Sequence, residues 1–155
     1  MIRRFTLPGT ILTLVSDTLP PPGALRFLCV DDEEDIRTIL ELALTLDPRI
    51  QAEVVPDGET MLEKAAAGGY DMFVLDAMMP GIDGYEVCRR LKADAATRDV
   101  PTVFLTAKTQ RDEVERARSL GAIAVLKKPF DPLLIASELR ELLGDARSGS
   151  LSRSA

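Results

Sequence analysis

Five polar residues close short apolar runs: Asp31 and Asp32 after 25–30, Asp76 after 72–75, Thr106 at the end of 101–106, and Lys128 after 122–127. Such runs read as strands buried on both faces, and in an open α/β sheet ligands bind at the carboxyl ends of the strands. Brought to one edge, the five would set three carboxylates beside a hydroxyl and an ammonium. Crowded acids repel, and at least one holds its proton more tightly unless a cation shares the site. The set therefore predicts an oxygen-ligated divalent ion, with Mg²⁺ the expected one. With that charge balanced, Asp76 stays ionised and can attack a phosphoryl group to form an acyl phosphate. The metal, Lys128 and Thr106 would then meet the charge spread over the equatorial oxygens of the transferring group.

The elements that must position these residues alternate along the chain. Strands are expected at 25–30, 52–55, 72–76, 101–106 and 122–127, and helices at 33–46, 58–67, 84–94, 109–120 and 131–143. Ile36, Ile39, Leu40, Ala43 and Leu44 fall on one face of the first helix. Asp131 followed by Pro132 reads as the start of the fifth. Five β-α units with room only for crossover helices imply a doubly wound, five-stranded parallel sheet of the α/β class, (βα)5, in the flavodoxin-like order 2-1-3-4-5. That order makes strands one, three, four and five neighbours, which gathers the five polar residues.

At 155 residues with 46% hydrophobic content, the chain has one core's worth of sequence. The folded domain is expected over 25–143, residues 1–24 as a disordered N-terminal extension and 144–155 as a disordered polar tail. The starting Met1 and short tail favour a complete protein over a domain excised from a longer one. A net charge of −6 argues against a nucleic-acid surface, and no run is long enough to span a membrane. With no histidine, the chain can supply neither a phosphohistidine nor a catalytic imidazole. Cys29 and Cys88 sit apart in apolar patterns, as buried free thiols do, which suits the reducing cytoplasm.

In order and spacing, VDDE (30–33), LDAMMPGIDG (75–84), FLTA (104–107) and KKPF (127–130) resemble the receiver domain of two-component response regulators, as in single-domain chemotaxis regulators. The resemblance implies that Asp76 is the phosphoacceptor, and that Asp31 and Asp32 hold Mg²⁺ together with Asp76 and the backbone carbonyl of Met78. It also implies that Thr106 is the switch hydroxyl, that Lys128 is the ion-pair partner of the phosphoryl group, and that Lys128-Pro129 is a candidate cis peptide. Met78, Ala107 and Lys108 fall where the family tunes the lifetime of the acyl phosphate, and Met78 and Lys108 are expected to shield it in part. The implied partners are a histidine kinase or histidine phosphotransfer protein, which supplies the phosphoryl group, and a downstream protein target. Ile36, Ile39 and Leu40 are candidate docking residues, and a homodimer through helix four to helix five is a further family trait.

One departure concerns output. Where receivers often carry an aromatic rotamer switch on strand five, this chain has Val125, which cannot swing a ring between two positions. Two other functions compete with the switch. A Mg²⁺-dependent phosphatase with an aspartyl nucleophile would place a second acid at Met78, and methionine transfers no proton. A non-phosphorylated pseudo-receiver adaptor would lack one of the acids, Thr106 or Lys128.

Overall fold

The computed structural model describes residues 3–7 and 10–14 as backbone and residues 23–149 in full. Strands β1 (Arg3–Leu7) and β2 (Thr10–Leu14) pair antiparallel in a sheet of their own, with Arg3 opposite Leu14 and Leu7 opposite Thr10. The expected disordered extension is, over these two stretches, a paired ribbon. Their Thr, Ile and Phe content suits strands. The rest of 1–22, and 150–155 of the expected polar tail, lie outside the described residues.

From Leu25 the chain alternates as expected: β3 (Leu25–Val30), α1 (Glu34–Thr45), β4 (Ile50–Val55), α2 (Gly58–Ala66), β5 (Met72–Leu75), α3 (Gly84–Ala93), β6 (Thr102–Thr106), α4 (Arg111–Ser119), β7 (Ala124–Lys127) and α5 (Ile135–Ser148). The five strands from β3 onward form one parallel sheet in the order β4-β3-β5-β6-β7. Counted from β3, that is the flavodoxin-like order 2-1-3-4-5.

Strand side chains alternate between the two faces, and the core divides accordingly. Leu28, Val30, Phe73, Leu75 and Phe104 pack against Met61 and Ala65 of α2, Tyr85, Val87, Cys88 and Leu91 of α3, and Ala117 of α4. Phe27, Cys29, Val74, Val103 and Leu105 pack against Leu40, Ala43 and Leu44 of α1 and Ile135, Leu139 and Leu143 of α5. Every side chain of β5 is buried, as its unbroken apolar run requires. Both cysteines are buried free thiols, and burial pushes them up, Cys88 to about 11.

Carboxylates start two of the helices. Asp57 accepts the Thr60 N–H at 2.7 Å and Asp83 the Glu86 N–H at 2.9 Å, each satisfying an orphan donor of the first turn. The fifth helix differs from expectation at both ends. The Asp131 carboxylate accepts the Leu133 N–H and its carbonyl takes the N–H groups of Leu134 and Ile135, so a turn precedes the helix. At the far end α5 continues through Gly144 to Ser148 and stops at Gly149, whose φ of 82° is left-handed. Among the described residues, no helix is long and apolar enough to cross a membrane.

Candidate functional site

The sheet ladder runs one residue past the strand ends and carries the site with it. The Asp31 N–H bonds to the Val55 carbonyl at 3.1 Å, the Asp76 N–H to that of Val30 at 3.2 Å, and the Lys128 N–H to that of Thr106 at 2.9 Å. Three of the polar residues singled out by the sequence thus have backbones fixed by a neighbouring strand, and a fourth, Thr106, ends one. Asp31, Asp76 and Thr106 are buried, at 2%, 5% and 1% exposure, whereas Asp32 is exposed.

The carboxylates of Asp31, Asp32 and Asp76 each offer an oxygen, and these oxygens lie within 4.8 Å of one another. The Lys128 ammonium stands 2.5 Å from Asp31 Oδ2, 3.2 Å from Asp76 Oδ2 and 3.9 Å from Glu33 Oε1. The Thr106 hydroxyl accepts the Lys108 N–H at 3.1 Å, which leaves its own proton to donate. Lys128-Pro129 is cis. All five residues are therefore gathered at one edge.

Three further contacts hold the acids in place. Asp31 Oδ1 accepts the Glu33 N–H at 2.9 Å, and the Arg37 guanidinium donates to the Asp31 carbonyl at 2.9 Å from one turn into α1. Asp76 Oδ1 accepts the Met78 N–H at 3.4 Å. The turn after Asp76 closes with the Gly84 N–H on the Ala77 carbonyl, where a Cβ on residue 84 would stand 2.1 Å from the Asp76 carbonyl oxygen. Only glycine admits that approach.

Burial pushes the Asp76 carboxyl above its ordinary range, and the charge of Asp31 adds to this, while Lys128 opposes it without cancelling it. Burial disfavours the Lys128 ammonium, but the bond to Asp31 and the charges of Asp76 and Asp31 outweigh it and raise its proton affinity. Three carboxylates thus face one ammonium at this edge, which leaves their charge unbalanced. Their donors are all oxygens, so the set fits a hard divalent cation such as Mg²⁺.

Around this edge, Met78 is 54% exposed, and Ala107 and Lys108 are exposed. Val125 is half-buried, lies in register with Phe104 and packs against the cluster on the α2, α3 and α4 face. Of the candidate docking residues, Ile39 is exposed and Ile36 half-buried, but Leu40 belongs to the core at 1% exposure and is not available to a partner. Its place on the α1 stripe faces the sheet. The exposed apolar side chains there are Ile39, Leu42 and Leu46, with Leu133 and Leu134 before α5. The supporting roles of Arg37 and Glu33 escaped the sequence pattern, because an acid at a helix start is common for dipole reasons alone and nothing in the sequence marks an arginine as bonding a backbone carbonyl.

A (βα)5 sheet whose carboxyl edge carries an acid cluster, a threonine and a lysine defines a receiver domain. Residues 27–140 match the family described as the response regulator receiver domain, and the chain belongs to it. It is thereby a signalling domain of two-component systems. The response regulator PleD of Caulobacter vibrioides is 39% identical over 117 residues, which are 76% of this chain and 26% of that protein. The response regulator ArlR of Staphylococcus haemolyticus is 33% identical over 118 residues, 76% of this chain and 52% of that one. The chain thus spans about half or less of the length of these relatives. Among solved structures, the chemotaxis protein CheY4 of Vibrio cholerae superposes with a TM-score of 0.72 at 27% identity, over 77% of this chain and 98% of that one. The receiver domain of a signal transduction histidine kinase from Syntrophus aciditrophicus does so with a TM-score of 0.69 at 29% identity, over 78% and 91%.

Proposed function

We propose that this chain is a phosphorylation-dependent switch that accepts a phosphoryl group from a partner phosphohistidine onto Asp76, then docks on a protein target or relays the group. The observation that carries this reading is the Lys128 ammonium shared between the buried Asp31 and Asp76 carboxylates at one sheet edge. In the transfer, an Asp76 oxygen attacks phosphorus and forms a P–O bond as the P–N bond to the partner's imidazole breaks. The ring keeps the bonding electron pair and takes its proton from solvent. Asp31 and Asp32, with the Met78 carbonyl, would hold Mg²⁺, which when bound neutralises charge on the transferring group.

Lys128 donates to a phosphoryl oxygen once Asp76 is phosphorylated, and the Thr106 hydroxyl is free to donate to another. Met78 and Lys108 shield the acyl phosphate in part, so that it outlives one flanked by small residues. The partner is a histidine kinase or phosphotransfer protein, for which Ile39, Leu42, Leu46 and Leu133 offer an exposed apolar face. A homodimer through α4 to α5 and a cytoplasmic setting belong to the same reading. The switch carries out no turnover of an external substrate.

Treatment with acetyl phosphate or beryllofluoride plus Mg²⁺ tests this on the wild-type chain and Asp76→Asn. A Mg²⁺-dependent adduct in the wild type and none in the variant is expected. Its absence from the wild type, or its persistence in Asp76→Asn, overturns the reading.

A further inference from the structure

Tyr85 is the second residue of α3, yet its side chain joins three elements. At 3% exposure its ring stacks on Phe104 of β6, with centroids 5.3 Å apart and planes 29° from parallel. Its hydroxyl donates to Glu113 in the first turn of α4, and the Arg116 guanidinium covers the ring at 3.9 Å from its centroid. Phe104 stands two residues before Thr106, so strand alternation puts both on one face of the sheet. A single line of contacts therefore runs from the strand that ends in Thr106, through Tyr85, to α4.

This line matters because little else holds α4. Its sequence, RDEVERARS, contributes one buried residue, Ala117. Apolar packing that would otherwise fix a helix is nearly absent, so a charge-assisted hydrogen bond and a cation over an aromatic face carry an unusual share of its placement. Val125, beside Phe104 in register, adds only a half-buried aliphatic side chain to the same cluster. The phenol stays protonated at neutral pH, since burial and the Glu113 contact both push it up.

We infer that Tyr85 is the positioning residue that couples α4 to the site, and that its bond to Glu113 latches α4 in the arrangement that phosphorylation must undo. In that arrangement Lys128 lies on the Asp76 carboxylate and the Thr106 hydroxyl on the Lys108 N–H. A phosphoryl group on Asp76 competes for both. The inference rests on the switch reading, and by linkage it fixes a sign: breaking the latch lowers the cost of switching and strengthens binding of anything that favours the switched state.

The test uses the full chain as wild type, Tyr85→Phe, Glu113→Ala and the double variant, each titrated with beryllofluoride at saturating Mg²⁺. The amide resonance of Ala117 reports on α4, and thermal unfolding is followed in parallel. Each single variant is expected to bind beryllofluoride about fivefold tighter than wild type, with the double variant no tighter than the singles. A role confined to stability would lower the unfolding temperature and leave this affinity where it was. Unchanged or weaker binding in both single variants, with the wild-type response intact, overturns the latch alone. No response in the wild type overturns the switch reading and the latch with it. Should Tyr85→Phe fail to fold, Glu113→Ala decides, because it removes the acceptor from a half-buried position without touching the core.

Discussion

Gly84→Ala sets two accountings of one methyl group against each other. Gly84 is the first residue of α3, where helix propensity alone favours alanine by up to about 1 kcal/mol. The added Cβ would stand 2.1 Å from the Asp76 carbonyl oxygen, 2.8 Å from its carbon and 2.9 Å from the Ala77 Cα. All three are backbone atoms, so no rotamer change relieves the contact. Either the start of α3 or the loop carrying Asp76 must move. Overpacking of this kind costs about 1–3 kcal/mol, and the upper end applies when nothing soft is in the way, which leaves a net loss of about 2 kcal/mol. For a domain of this size that lowers the unfolding midpoint by roughly 5–10 °C. Gly144→Ala supplies the contrast, since Gly144 lies inside α5 with nothing within 4 Å of its would-be Cβ. It should gain about 0.5–1 kcal/mol from propensity alone. Urea and thermal unfolding by circular dichroism measure both. A Gly84→Ala variant as stable as wild type would refute the claim that close backbone approach fixes the Asp76 turn.

Other consequences concern charge and burial. Asp76→Asn removes a carboxylate that burial and Asp31 disfavour, so in chelator-treated protein at pH 7 it should raise the thermal midpoint; a midpoint equal to or below that of the wild type would count against the crowding. Asp47, its side chain 9% exposed, accepts from the Arg49 N–H at 2.9 Å and from Arg140 Nε at 2.6 Å; burial opposes ionisation there, but these donors outweigh it and lower its proton affinity. A lowered carboxyl contributes stability that is present above its unfolded pKa of about 3.9 and lost as pH falls through the folded value. Arg140→Ala should therefore cost about 2 kcal/mol at pH 7 and progressively less below about pH 3.9, as read by urea titrations across that range. Finally, both thiols should resist an aromatic disulfide reagent at pH 8 in the native protein and react fully in denaturant, because burial pushes each above its ordinary value.

How far the fold was legible depended on what sets each boundary. β5 could be read because an unbroken apolar run has one economical place, the middle of a covered parallel sheet. The edge strand β4 begins two residues before its expected start: Ile50 is buried and pairs with Leu25, but the exposed Gln51 after it breaks the run. Asp131-Pro132 carried a sound helix-start signal that the chain spends on a turn, since the same carboxylate that caps a helix also closes an Asx turn on Leu133. Gly144 looked like a stop and is not one, because with α5 already packed through Leu139 and Leu143 the propensity cost of one glycine is outweighed. The β1 and β2 ribbon was missed because its strands are short and bracketed by turn signals, a pattern shared with unstructured tails.

The site was legible for a different reason from the one that left its readout obscure. Asp31, Asp76 and Lys128 each hang from a backbone amide that extends the ladder, so once strand order is known their meeting follows from the pleat and not from side-chain detail. The surroundings of α4 obey no such rule. That helix has one buried residue, and what holds it is a tyrosine 28 positions earlier, reached through a hydrogen bond and an arginine over a ring. Pairings of that separation leave no periodic trace in a single sequence. The sheet-edge arrangement thus follows from topology while the placement of α4 depends on a few side-chain contacts, and this chain pairs the expected acids, threonine and lysine with Val125 and Tyr85. On the proposed latch the division has a physical consequence: changes at Tyr85, Glu113 or Arg116 would shift α4 without touching a ladder bond or any of Asp31, Asp32, Asp76, Thr106 and Lys128.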